Sequence, residues 1–202
     1  MDAGEQIRPY RPADESAVVG VWHRAGRAAY TYLPTWQQFT LEQALHVFQH
    51  VIVPHCELWV GTRGDLVVAY LAMKKSYIDR LYVDPPEQRK GWGSRLVQYA
   101  KALQPDGLEL HTHQENHGAR VLYERHGFVA VRFGISPPPE SAPDVEYHWR
   151  PNAGVALRVE VNDGSIIRSS AVINCWKLTT VRCSMSGWRT GATALTSKCI
   201  RS

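Results

Sequence analysis

Apolar residues in the first 150 positions recur at helical spacing in some stretches and at strand spacing in others. Val18, Val21, Trp22, Ala25, Ala28 and Ala29 fall three and four residues apart, which predicts a helix that starts near Pro12-Ala13-Asp14 and fades by Tyr30. Before it, Ile7-Arg8-Pro9-Tyr10 reads as a short edge strand, because proline is tolerated at a sheet edge. After it, Thr31 to Trp36 reads as an aromatic, proline-containing loop. Thr40 with Gln43 makes a capping box, and Leu41, Leu45, Phe48 and Ile52 continue at helical spacing until Pro54.

From Glu57 the period shortens. Leu58-Trp59-Val60 and Leu66 to Leu71 flank Gly61 to Asp65, a hairpin signature, and Tyr77 to Val83 forms a third strand that stops at Asp84-Pro85-Pro86. Leu96, Val97, Ala100 and Leu103 then line one face of a helix that ends at Pro105-Asp106-Gly107. A strand follows over Leu108 to Thr112. Asn116 is placed to cap a helix over Ala119 to His126, and Gly127 supplies the left-handed residue that closes it. Strands over Phe128 to Val131 and Val145 to Trp149 complete an α/β (mixed α+β) order, with an antiparallel meander first and a strand-helix-strand crossover later.

Charge divides the chain. The formal net charge is +4, yet residues 1–150 hold 16 Lys and Arg against 17 Asp and Glu, and the last 52 residues hold 7 against 2. The body is nearly neutral, so the basic balance gives no reason to expect a nucleic-acid partner. Residues 151–202 are Ser/Thr-rich, basic and without a persistent helical stripe, although Val155 to Val161 alternate ahead of the turn signal Asn162-Asp163-Gly164. This segment is expected to carry weak or no fixed structure, or to be a non-native extension, leaving residues 1–150 as the domain. No apolar run is long enough to span a bilayer, so no membrane partner is expected, and the N-terminus lacks a secretion-signal layout, which points to a cytoplasmic location. Cys56 stands alone, and Cys175, Cys183 and Cys199 show no CxxC spacing, so neither a disulfide framework nor a zinc knuckle is signalled.

The segment with the most chemical content is Gln88-Arg89-Lys90-Gly91-Trp92-Gly93-Ser94, between a strand and an amphipathic helix. Glycines let a turn aim several amide N–H groups inward, and the adjoining helix N-terminus adds partial positive charge, so such a turn suits a phosphate. A nucleoside triphosphate loop needs GxxxxGK followed by Ser or Thr, which is absent. A dinucleotide fold comes closer, since Gly91-Trp92-Gly93 begins GxG and Glu109 follows at a plausible distance for a ribose. Leu96, however, replaces the third glycine, and a meander precedes the turn.

The Gln-x-x-Gly-x-Gly pattern after a strand resembles motif A of the GNAT superfamily of N-acetyltransferases. Ile78 to Pro85 resembles that superfamily's fourth strand, Asn116 with Ala119 to Phe128 its following motif, and Pro143 to Trp149 the closing strand of one bacterial branch. The resemblance covers residues 6 to 150. It implies a central, mostly antiparallel mixed sheet with helices on both faces and with strands 4 and 5 splayed. It further implies an acetyl-CoA cosubstrate without a metal, its pyrophosphate on the amides of Gln88 to Ser94 and its pantetheine on the main chain of Leu81, Tyr82 and Val83.

The activity implied is transfer of acetyl to a primary amine of a small molecule, peptide or protein. Tyr123 matches the superfamily's tyrosine and is the expected general acid, while Asn116 caps its helix and bonds the cofactor arm or Tyr123. Tyr30, Tyr32 and Trp36 sit where the superfamily varies its acceptor pocket, and serve either acceptor contact or loop packing. Asp79, His111, His113 and Glu115 all stand near the two splayed strands, which leaves the general base open. His111, His113 and His117 lack the further ligands of a zinc site. A non-catalytic acyl-CoA-binding module and a dinucleotide-binding oxidoreductase are the alternatives, and a homodimer stays open.

Overall fold

The structure is a computed structural model, and it describes residues 4–151. The segment 152–202, with its expected lack of fixed structure and its turn signal at Asn162-Asp163-Gly164, lies outside the described residues.

Seven strands form one sheet in the order β1-β2-β3-β4-β5-β7-β6. β1 (Glu5–Pro9), β2 (Glu57–Arg63), β3 (Leu66–Lys74) and β4 (Tyr77–Val83) make the antiparallel meander. α4 (Trp92–Leu103) then carries the chain across to β5 (Leu108–His113), which runs parallel to β4. β7 (Pro143–Trp149) inserts between β5 and β6 (Val129–Ile135), antiparallel to both. With one parallel pair in seven strands this is not the doubly wound parallel sheet that a dinucleotide fold requires.

Helices cover both faces, as the resemblance implies. β3 shows why, because all of Val68 to Met73 is buried. Val68, Ala69, Leu71 and Met73 join a core with Trp92, Leu96, Val97 and Ala100 of α4 and with Tyr123 of α5 (His117–Arg125). Tyr70 and Ala72 join a second core with Val18, Val21 and Trp22 of α1 (Glu15–Ala29) and with Phe48 and Ile52. A central strand buried on both faces reads as a continuous apolar run rather than an alternation.

Several local expectations are corrected. Residues 34–38 form a short helix, α2 (Pro34–Gln38), rather than a loop, because Pro34 at its first turn is preset for helical φ and Trp36 is driven into the core. α3 (Leu41–Val47) has the expected capping box, Gln43 N–H to Thr40 Oγ1 at 3.1 Å, but continues as a π-helical turn over Phe48–Ile52. Its buried line is Ala44, Phe48 and Ile52, whereas Leu41 is 53% exposed. In α1 the buried stripe runs through Val19 and Gly26, and Ala28 is exposed.

The feature that organises the site is the relation of β4 to β5. They share one register pair, Tyr77 with Glu109, beside which Glu109 N–H donates to Ser76 O at 3.0 Å. Two residues later the β3–β4 register shifts, with Ala72 opposite Arg80 and Met73 opposite Ile78, so Asp79 is the extra residue of a bulge. A bulge bends its strand and sharpens its twist. β4 thus bends just beyond its register pair with β5, and its edge from Asp79 to Val83 has no register partner in β5.

Gly26 gives a test of the packing beside this gap. A Cβ built there would lie 1.9 Å from Trp36 Cζ3, so Gly26→Ala must displace the indole. A loss of roughly 1–3 kcal/mol is expected from overpacking of this kind. Urea unfolding at neutral pH measures it, and an unchanged midpoint would mean that the indole yields freely.

Candidate active site

The glycine turn closes the β4 end of the gap. Arg89 and Gly91 both have positive φ, 64° and 88°, and Gly91 caps α4 from a left-handed conformation. This local geometry leaves a run of donors free. No oxygen among the described residues accepts from the N–H groups of Arg89, Lys90, Gly91, Trp92, Gly93 or Ser94, and the next amide, Arg95, bonds Gly91 O at 3.0 Å. The turn also has room, since a Cβ at Gly91 would meet nothing within 4 Å. Gly93 is small for another reason: its Cβ would stand 3.0 Å from Leu122 Cδ2, so it sets the approach of α4 to α5.

Side chains in this turn divide by role. Gln88 donates from Nε2 to Val83 O at 3.1 Å and ties the turn to the end of β4. Buried Glu87 holds Arg63 at 2.7 Å and Lys90 at 3.2 Å, so the Lys90 ammonium is already partly compensated. Arg89 is exposed and makes no ion pair among the described residues. The Trp92 indole, expected along the turn, is buried in the core beneath the Arg95 guanidinium at 3.7 Å, and only the Trp92 amide faces the site.

On the other side of the parted strands lies a cleft of about 700 Å³. Its floor is Tyr77, Arg80 and Tyr82 of β4 with His111 and His113 of β5, and its walls are Trp36, Tyr30 and Glu140. Tyr30 is the node. Its phenol accepts from Asn116 Nδ2 at 3.5 Å, and its ring lies 5.0 Å from His113 and 5.2 Å from Trp36. Burial pushes both the Tyr30 and Tyr82 phenols up from their ordinary value, so both stay protonated.

Asn116 caps α5, accepting from Ala119 N–H at 3.2 Å. Its amide nitrogen reaches Tyr30 rather than Tyr123. Tyr123 packs between Phe128 and Tyr147, with ring centroids at 5.5 and 6.2 Å, and its hydroxyl has no hydrogen-bond partner among the described residues. Burial raises its pKa well above the ordinary phenol value. Trp36 is 7% exposed and serves both cleft and core, whereas Tyr32 is 39% exposed at the rim.

Of the residues left open as the base, Asp79 is bound by Lys74 at 2.7 Å and by Arg80, as its place in the bulge requires. Glu115 is exposed beside His117, and His111 is exposed beside Tyr77 and Glu146. His113 alone of the four is buried, against Tyr32 Oη at 3.3 Å and Glu140 Oε2 at 3.7 Å. Glu140 was missed in the sequence. It stands in the β6–β7 loop after three prolines, where no periodicity places it, and only the fold brings it to the cleft. There Trp36 Nε1–H donates to it at 3.0 Å. The His113 imidazole, then the Trp36 N–H, hold its carboxyl below the usual range against the opposing effect of burial. Among the described residues no three His, Cys, Asp or Glu stand together as a metal site.

A parted β4/β5 pair, a donor-lined turn at a helix start and an aromatic cleft across the sheet together form the candidate active site. The GNAT acetyltransferase domain family matches residues 54–130, and the chain is similar to acetyltransferases of that family. The peptidyl-lysine N-acetyltransferase YjaB of Salmonella typhimurium is 28% identical over 123 residues, 60% of this chain and 81% of that protein. The solution structure of apo YjaB from Escherichia coli superposes with a TM-score of 0.58 at 22% identity, covering 71% of this chain and 96% of that one. The acetyltransferase yncA of Salmonella typhimurium, solved with acetyl-CoA, gives 0.54 at 15% identity over 73% of this chain and 94% of that one.

Glu140 yields a pH test. A carboxyl whose folded-state pKa is lowered contributes stability above its unfolded pKa and loses it as pH falls through the folded value. Wild type is therefore expected to exceed Glu140→Gln in urea midpoint at pH 7, with the gap closing as the pH drops below the ordinary glutamate range. A gap independent of pH would remove the charge of Glu140 from the network.

Proposed function

We propose that the protein transfers an acetyl group from acetyl-CoA to a primary amine of a small molecule, peptide or protein, directly within a ternary complex. The observation that carries this reading is the run of six unbonded amides from Arg89 to Ser94 beside the parted strands. A diphosphate supplies acceptors for such donors, and the dipole of α4 adds to the attraction. Arg89 contributes an uncompensated charge. The unpaired edge of Leu81, Tyr82 and Val83 is suited to a pantetheine arm that bonds as a further strand would, though the Val83 carbonyl is already bonded to Gln88.

Seated this way, the thioester lies in the gap with the aromatic cleft on its far side. The amine nitrogen attacks the carbonyl carbon, the C–N bond forms, and the C–S bond breaks with its electron pair on sulfur. A β4 amide stabilises the developing oxyanion. Tyr123 is the donor to the leaving sulfur. Its raised pKa keeps the phenol fully protonated at neutral pH, so it acts by hydrogen bonding the developing thiolate as the charge forms. YjaB, by its name, acts on peptidyl-lysine, which is consistent with an amine acceptor here.

Free-thiol release is expected only when acetyl-CoA and an amine are both present. Tyr123→Phe is expected to keep CoA affinity, measured by calorimetry, within about threefold, and to lower kcat roughly 10²-fold, the scale of general acid catalysis. Unaltered kcat would remove Tyr123 from the leaving-group step.

A further inference from the structure

The cleft opposite the cosubstrate gap holds one buried imidazole and one carboxylate at ion-pair range. His113 Nε2 and Glu140 Oε2 are 3.7 Å apart, at ion-pair range but beyond hydrogen-bond length. The other nitrogen, Nδ1, is 3.3 Å from Tyr32 Oη. In the neutral tautomer with the proton on Nδ1, Nε2 presents a lone pair to the cleft beside the carboxylate, and in the imidazolium form the same nitrogen faces Glu140 as the cation that favours its ionised carboxylate. Trp36 fixes the second oxygen of Glu140 at 3.0 Å, which turns Oε2 toward His113.

In the neutral tautomer the two acceptors suit one donor that reaches both. The surrounding surface specifies its charge. Tyr30 lies 5.0 Å from His113 and Trp36 lies 5.2 Å from Tyr30, so the space is walled by aromatic faces, which attract cations. The other charged residues lining the cleft are Asp144, the register partner of His113, Arg132, which pairs with Glu146, Asp79, and Arg80, which is engaged by Asp79 and lies over the Trp22 ring at 5.3 Å.

We propose that His113 Nε2 and Glu140 are the docking and deprotonation site for the acceptor's ammonium group: Glu140 binds the cation, and His113 takes one proton from its nitrogen. This rests on the amine-acceptor reading above and adds to it the group that makes the nitrogen nucleophilic. The balance is simple. The ammonium loses one proton to Nε2 and becomes a neutral amine, and the imidazolium so formed is stabilised by Glu140 and returns its proton to solvent. After attack, the second proton leaves the nitrogen as the amide forms, and the released thiolate gains one. Tyr32 is a positioning residue that holds the Nδ1 tautomer.

The site distinguishes acceptors that arrive charged from those that arrive neutral. Wild type, His113→Gln and Glu140→Gln are assayed with acetyl-CoA against a blocked lysine peptide and propylamine as cations, and against their weakly basic aminooxy counterparts as neutral acceptors. For His113→Gln, kcat/KM is expected to fall about 10²-fold or more with the cations and less than about tenfold with the aminooxy compounds. Glu140→Gln should raise KM for the cations by about tenfold with little change for the neutral pair. Equal losses on both classes, or none, would overturn the proposal while leaving the transferase reading intact. Thermal melts and CoA affinity identify a variant that is merely misfolded, in which case Tyr32→Phe, expected to lower kcat for the cations selectively, decides. Failure of wild type to acetylate any of these amines would sink the amine-acceptor reading and this proposal with it.

Discussion

β4 and β5 meet at Tyr77 and Glu109 and then separate, and this interruption of the sheet is the constraint on which the site depends. Strands inside a sheet satisfy their main-chain groups by pairing, and an interior gap leaves two facing edges unpaired. Such a gap persists only if the rest of the structure holds it open. Here β3 keeps β4 in place through six register pairs, and β7 keeps β5 in place through another six, so neither strand depends on the other. The bulge at Asp79 supplies the bend, and its carboxylate is compensated by Lys74 and Arg80.

The two ends of the gap are specialised by different physical means. At the glycine turn the main chain does the work: positive φ at Arg89 and Gly91 presents amides, and side chains mostly anchor, with Gln88 bonded to β4, Trp92 in the core and Glu87 holding Lys90. Across the sheet, side chains do the work. Tyr30 joins Asn116 at the start of α5 to His113 on β5, and Trp36 joins the α1 core to Glu140. A phosphate group shared by many substrates suits a main-chain cradle, whereas an acceptor that differs between relatives suits a side-chain pocket built on loops.

Much of this was legible in the sequence because it is local. The Gly91-Trp92-Gly93 turn, the Asn116 cap and the Thr40 capping box are each set within a few residues, and all three appear as expected. The antiparallel meander was legible from its short connections, whereas the insertion of β7 between β5 and β6 was not. What could not be read depends on contacts remote in the chain. Glu140 meets Trp36 across 104 positions and His113 lies against Tyr32 across 81, and neither leaves a periodic trace. The start of the α3 stripe was misjudged: Phe48 and Ile52 are buried as expected, but Leu41 is exposed and Ala44 packs in the core with them. Trp92 shows the reverse case, where the position is local and the side-chain direction is set by Gly61 of β2, whose missing Cβ makes room for the indole.

Amide resonances followed during CoA titration test the central claim most directly. Saturating CoA is expected to shift, and to slow hydrogen exchange at, the amides of Arg89 to Ser94 and the gap-facing amides of Leu81 to Val83. Perturbations confined to other surfaces, with the amides of the turn left untouched, would contradict a cosubstrate gripped by the main chain beside parted strands.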